Sequence, residues 1–315
     1  MSTVAIVGVG SVGSSIAYAM MIQGMASRYI LVDLDERKRH AQALDLRQGG
    51  MFIPDCDVLE GDMEACRGAD IVIVTAGAKQ DPGQTRMDLA SDNCRMMRAL
   101  APDIFRVAPQ CVLLIVTNPV DVVTMAACEV ARAEGFPLQR VIGSGTVLDT
   151  SRLRTLLANR LDVAVASAHA LIVGEHGDSA LPLWSTAVVE GCPLLRYRPR
   201  DGAPVDEAER DAMFESVRRS AYEIIEGKGA TNYAIGLATA RICRAILRDV
   251  NAVLTVSSWH DRFADAVEEP ASYSVPTVVG RTGVVHVAEE TPLSDFERRG
   301  LAHSAGVIRE QHRAI

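Results

Sequence analysis

The sequence predicts an α/β chain: an open, doubly wound parallel sheet followed by a mixed α+β domain. Three observations predict it. Short strands, apolar on both faces, alternate with helical patterns over residues 1–143; this is the pattern of a parallel sheet covered on both sides. A glycine-rich turn joins the first strand to the first helix. Past Gly143 the texture changes to less regular strands between long helices, which divides the chain into domains 1–143 and 144–315. Single hydrophobic cores stop growing near this chain length, so two domains are expected.

Each element has its own signal. The apolar, β-branched run at 4–7 reads as the first strand. Ile16, Ala17, Met20 and Met21 recur at helical spacing over 14–21, and Gly24 stops that helix. A second strand is expected over 29–32, ending at Asp33, then a helix to about Gln48. Residues 71–75 read as a buried strand, and 76–86 as a loop with Pro82-Gly83 inside it. A helix is expected over 88–108, broken or started near Pro102, then an apolar strand over 111–116. In the second half, 163–173 and 188–189 read as irregular strands. Helices are expected over 205–226, closed by Gly227-Lys228-Gly229, and over 233–248. Strands follow at 254–257, 275–279 and 284–287. Ser294-Asp295-Phe296-Glu297 is a capping box that opens a terminal helix.

Composition excludes several function classes. The chain is 48% apolar and 23% charged, the balance of a globular protein. Its net charge of −8 argues against a nucleic-acid partner. The seven cysteines are scattered, odd in number and without a CxxC pair, which fits reduced thiols better than a disulfide framework. The seven histidines show no metal-ligand spacing, so no metal is expected. There is no 18-residue apolar run and no basic segment ahead of an apolar one at the start. No membrane partner is expected, and the cytoplasm is the expected location.

Gly8-Val9-Gly10-Ser11-Val12-Gly13 is a GxGxxG motif between a strand and a helix. Alone it also fits a chance tight turn. In this context Gly8 permits the turn, Gly10 lets backbone approach a pyrophosphate, and Gly13 lets helix and strand pack closely, as in a Rossmann fold. The helix N-terminus then offers N–H groups and a positive dipole end to the phosphates. Asp33 sits 20 residues after Gly13. A carboxylate there accepts hydrogen bonds from the adenine-side ribose and repels a 2′-phosphate, so NAD is the expected cofactor. Asp35 and the basic run Arg37-Lys38-Arg39 leave room for NADP, and a lone fingerprint also fits FAD.

Gly174-Glu175-His176-Gly177-Asp178 places a histidine between glycines after an apolar strand. In isolation this reads as a polar loop. Asp149 lies in Asp149-Thr150-Ser151-Arg152, which opens a helix after Gly143-Ser144-Gly145. An aspartate paired to a histidine fixes its tautomer and raises its pKa, which suits proton transfer at neutral pH. A guanidinium is the natural clamp for a substrate carboxylate. A second cation polarises a carbonyl that becomes an alkoxide. The loop 78–86, with its Pro-Gly pair, could bring Arg86 in as a lid.

At this point the chain resembles a known family. The segment from Thr75 to Arg86 is similar to the active-site loop of the lactate/malate dehydrogenases. Thr117-Asn118-Pro119-Val120-Asp121, Gly143 to Arg152, Gly174 to Ser179 and Lys228-Gly229-Ala230-Thr231-Asn232 are similar to further motifs of that family, in order. So are Val279-Gly280-Arg281 and residues 293–304. The resemblance covers essentially the whole chain. It implies that His176 is the proton donor and acceptor, with Asp149 as partner. It implies that Arg152 binds the substrate carboxylate, that Arg86 polarises the carbonyl, and that Thr231 lines the pocket. Asn118 would contact substrate and position the nicotinamide, beside a cis bond to Pro119. Gly8, Gly10, Val12, Gly13, Asp33, Lys38, Gly77, Ala78, Asn118 and Ser144 would contact the cofactor.

The resemblance also narrows the substrate. Where the family's malate enzymes carry an arginine in the lid, this chain has Gln80. A neutral side chain leaves a dicarboxylate's second charge unpaired, so a small 2-keto or 2-hydroxy monocarboxylate, pyruvate or lactate, is expected. Malate and longer-chain 2-hydroxy acids remain alternatives. So does a non-catalytic NAD-binding protein, although such a protein would be expected to lose some of His176, Asp149, Arg152 and Arg86. Arg154 and His169 match positions that bind fructose bisphosphate across a subunit interface in allosteric bacterial members of the family. A homo-oligomer is expected, with a tetramer preferred.

Overall fold

The computed structural model describes residues 2–78, 85–200 and 202–315, with only the backbone of Arg86. The first half of the chain lays down six parallel strands: β1 (Thr3–Val7), β2 (Arg28–Val32), β3 (Asp57–Gly61), β4 (Ile71–Val74), β5 (Val112–Ile115) and β6 (Val141–Gly143). Helices α1 (Ser11–Ile22), α2 (Glu36–Gln48), α3 (Arg86–Val107) and α4 (Val120–Glu134) lie between them. Across the sheet the strands run β3, β2, β1, β4, β5, β6. Strand order therefore reverses between β1 and β4, and a crevice opens there beyond the carboxyl ends of the strands.

The sheet forms because its strands are apolar on both faces. In β4, Val72 and Val74 join one fully buried cluster while Ile71 and Ile73 join the other. In β5, Leu113 and Ile115 divide from Val112 and Leu114 in the same way. Side chains alternate across a strand, so a continuous apolar run fills two layers at once.

The second half supplies α5 (Val147–Leu161), the short strands β7 (Ala168–His169), β8 (Ile172–Val173), β9 (Leu181–Pro182), β10 (Val188–Val189) and β11 (Cys192–Pro193), and helices α6 (Glu207–Lys228) and α7 (Tyr233–Leu247). Strands β12 (Ala252–Leu254), β13 (Ser257–His260), β14 (Ala271–Ser274), β15 (Thr277–Gly280) and β16 (Gly283–Val287) follow, then α8 (Asp295–Arg313). Leu153, Leu157 and Leu161 of α5 pack with Val189 and Val217 in a third apolar cluster. α7 returns to α1, where a Cβ on Gly236 would stand 3.2 Å from the Ser15 backbone. Among the described residues, no helix is long and apolar enough to cross a membrane.

Three expectations change. The helix expected to break at Pro102 runs unbroken through it, and begins at Arg86, just after Thr85, whose side chain closes a capping box with Asp88. The strand expected at 254–257 is split between two sheets, and the one expected at 275–279 begins only at Thr277, after the chain has crossed from the sheet of β14. β13 and β14 extend the parallel sheet antiparallel at its β6 edge, while β12 and β15 pair in a separate three-stranded sheet. Pro276 lies at the second of these crossings and has no N–H for a ladder, so the chain changes sheet there. β3 and β6 had no clear signal, because β3 is a half-exposed edge strand and β6 has only three residues. The expected terminal capping box is present, with the Ser294 amide donating to Glu297 at 2.8 Å.

Candidate active site

The sequence-predicted cofactor residues follow the carboxyl ends of five parallel strands. Gly8 and Gly10 follow β1, Asp33 follows β2, Gly77 and Ala78 follow β4, Asn118 follows β5 and Ser144 follows β6. Gly8 has φ +93°, and a Cβ there would lie 2.4 Å from the Ala76 nitrogen. A Cβ on Gly13 would lie 2.0 Å from the Gly8 carbonyl oxygen, so only glycine lets α1 approach the turn this closely. Gly10 differs, because a Cβ there would meet nothing within 4 Å. It faces open space at the helix N-cap, and no side chain caps that end. Half-buried Val12 lies in the same first turn. The uncapped amides and the open glycine face form a cradle that fits a dinucleotide pyrophosphate.

Asp33 completes the cradle. Its Oδ2 accepts from the Val9 amide at 2.8 Å and from Lys38 Nζ at 2.9 Å, and its Oδ1 from the Asp35 amide at 3.0 Å. Burial alone would raise its pKa, but the Lys38 ammonium and those amides outweigh burial and hold it below the usual carboxylate value. Asp33 is therefore ionised and fixed where a ribose would lie. Ser144 is buried behind the cradle, with its amide bonded to the Ile115 carbonyl.

His176 and Asp149 meet across the second half. Nδ1 of His176 lies 2.6 Å from Asp149 Oδ2, and Arg152 Nη1 donates to the other oxygen, Oδ1, at 3.0 Å. Asp149 and Arg152 share the first turns of α5, three residues apart on one face. His176 lies in the loop after β8. Burial alone would raise the Asp149 pKa, but the His176 and Arg152 charges hold it down. Asp149 is the main reason that His176 is pushed up to about 9, against the opposing effect of burial. The imidazole is thus a proton donor at neutral pH. Among the described residues nothing pairs with its Nε2.

These side chains line a cleft of about 780 Å³, with Asn118 on one wall and Phe214 and Ile225 of α6 on another. The Asn118–Pro119 bond is cis. Thr231 is half-buried between α6 and α7 and does not line this cleft. Gln80 lies outside the described residues, as does the side chain of Arg86. Arg154 donates from Nε to the Ala168 carbonyl at 2.7 Å, beside exposed His169 on β7, so these two residues are neighbours away from the cleft.

The sequence reading missed two buried residues. Asn93 of α3 accepts from the Ala78 amide at 2.8 Å and donates to the Asn118 carbonyl at 2.7 Å, tying the two walls of the crevice together. Asp121 accepts from the His176 amide at 2.7 Å. The available signal was a polar residue on an otherwise apolar helical face.

Residues 2–143 match the family described as lactate/malate dehydrogenase, NAD binding domain. Residues 146–314 match lactate/malate dehydrogenase, alpha/beta C-terminal domain. The chain is 46% identical to the L-lactate dehydrogenase of Gloeobacter violaceus, over 97% of this chain and 91% of that protein. It is 40% identical to the L-lactate dehydrogenase of Clostridium perfringens, over 97% and 95%. Among solved structures it is similar to the minor L-lactate dehydrogenase of Enterococcus mundtii in a ligand-bound form. That match has a TM-score of 0.92 and 36% identity over 100% of this chain and 98% of that one.

Proposed function

Because the chain belongs to the lactate/malate dehydrogenase family, we propose that it interconverts pyruvate and L-lactate with His176 as the acid/base. The chain is an NAD-dependent oxidoreductase. The carrying observation is His176 held by Asp149, with Arg152 beside them, in a cleft walled by the cofactor-side residue Asn118. When bound, the nicotinamide supplies a hydride to the keto carbon or takes it back from the hydroxyl carbon. His176 holds the matching proton at Nε2 and gives it to the developing alkoxide. Asp149 then faces a neutral imidazole, and the next turnover needs a proton from solvent. Arg152 clamps the substrate carboxylate, and Arg86 polarises the carbonyl from the lid. NADH absorbance with pyruvate, oxaloacetate and 2-ketoisocaproate tests the reading, and pyruvate should turn over fastest. A faster rate with either of the others would overturn the substrate assignment.

Gln80 carries the preference for a monocarboxylate. Gln80→Arg should raise oxaloacetate turnover relative to pyruvate at least tenfold, since it pairs a charge that is otherwise unmatched. An unchanged ratio would count against that role.

The seven cysteines are free thiols, which supports a cytoplasmic location. We further propose a homotetramer with a fructose bisphosphate site at Arg154 and His169. The bond from Arg154 to the Ala168 carbonyl, which keeps Arg154 next to His169, supports this site. A pyruvate titration should show a lower KM with the bisphosphate present, and identical curves would remove the idea.

A further inference from the structure

Asp121 belongs to the Thr117-Asn118-Pro119-Val120-Asp121 motif, yet the reaction above gives it no task. It is 2% exposed, in the first turn of α4 among buried valines. Its Oδ2 accepts from the His176 amide at 2.7 Å. The Ser257 hydroxyl on β13 favours its ionised form, although neither that hydroxyl nor Asp121 Oδ1 completes a hydrogen bond of good geometry. A buried carboxylate with an unpaired oxygen is costly. An amide acceptor alone does not require the charge, because asparagine would serve as well.

The charge faces the catalytic base. The titratable groups that act on Asp121 are His176 and Glu175, both on the loop after β8. Those that act on His176 are Asp149 and Asp121, which raise its pKa, and Arg152, which lowers it. Burial pushes Asp121 itself up to about 6, so it still carries its charge at neutral pH.

We propose that Asp121 is a positioning residue for His176. It ties the catalytic loop to the start of α4 through the His176 amide, and it sets a second negative charge beside the imidazole so that the ring keeps its proton. Asp121 lies three residues after Asn118, so the same tether fixes the distance between the two walls of the cleft. The proposal rests on His176 being the acid/base.

Asp121→Asn separates the two contributions, because it keeps an oxygen for the His176 amide and removes the charge. The measurement is kcat/KM against pH in both directions, with the native chain as reference. Pyruvate reduction needs the imidazolium and is lost as pH rises through the His176 pKa; lactate oxidation needs the neutral ring and appears over the same range. Removing the Asp121 charge lowers that pKa. Both limbs should therefore move together to lower pH by about one unit, making pyruvate reduction about tenfold slower on the alkaline limb. Limbs that stay in place in D121N, with or without a uniform loss of rate, would overturn the proposal. If D121N does not fold, Asp121→Ser, which also offers the His176 amide an oxygen without a charge, takes its place, and unmoved limbs there would overturn the proposal. Full turnover in a His176→Ala variant would instead overturn the assignment of His176 itself, so the two failures are distinguishable.

Discussion

His176→Ala should lower turnover by about a thousandfold in both directions while leaving NADH affinity nearly unchanged. The size follows from what positioned proton transfer contributes, typically 10² to 10⁴ in rate. The selectivity follows from geometry. The dinucleotide cradle is built from Gly8, Gly10 and Asp33 beyond β1 and β2, whereas His176 lies in the loop after β8 and is held by α5 and α4. Alanine leaves Asp149 with Arg152 as partner, so a buried carboxylate is not orphaned and the fold should survive. NADH fluorescence titration and steady-state absorbance, on the same preparation, give the two numbers. Full turnover would sink the mechanism, and a parallel loss of NADH binding would mean that the variant had misfolded.

The pH dependence of the native chain follows from the same pair. Asp149 raises the His176 pKa to about 9, so the protonated form dominates at neutral pH. Pyruvate reduction is therefore sustained there and falls as pH rises through that value. Lactate oxidation needs the ring neutral and is favoured above it.

What the sequence revealed depended on how local the signal was. The fingerprint at Gly8, Gly10 and Gly13 was legible because each glycine answers a steric demand inside one turn. The structure gives those demands distances of 2.4 Å at Gly8 and 2.0 Å at Gly13. The doubly wound sheet was legible because β4 and β5 are apolar on both faces. The capping box at Ser294 was legible because it closes within four residues. The sheet's antiparallel edge was not legible. β13 joins β6 from more than a hundred residues away, and nothing in Ser257–His260 marks which sheet it will enter.

The same limit applies to the site. Asp149 and His176 are 27 residues apart, and the residues alone offered their pairing only as one reading beside a polar loop, until the family resemblance favoured it. Asn93 and Asp121 were given no role from the sequence, because their partners, Ala78, Asn118 and His176, are distant in sequence. Pro102 misled for the opposite reason. Proline disfavours a helix interior by a local rule, but packing carries α3 through it, with Ala101 and Ile104 on either side fully buried.

Arg152→Ala should reduce kcat/KM for pyruvate about a hundredfold, mostly through KM. The guanidinium sits three residues from Asp149 on α5 and lines the cleft beside His176, where a substrate carboxylate would have to lie for its carbonyl to reach Nε2. Losing charge-assisted hydrogen bonds of this kind costs about 3 kcal/mol, which is roughly a hundredfold. Arg152→Lys should recover only part of the loss, since an ammonium keeps the charge without the planar fork. A second effect separates this role from simple damage to the fold. Arg152 lowers the His176 pKa, opposing Asp149. Its removal should push that pKa higher, so the alkaline limb of pyruvate reduction should move to higher pH, opposite to the shift expected for Asp121→Asn. An unchanged KM would remove Arg152 from substrate binding. A limb moving to lower pH would mean that the charge balance around His176 is set by groups other than Asp149, Asp121 and Arg152.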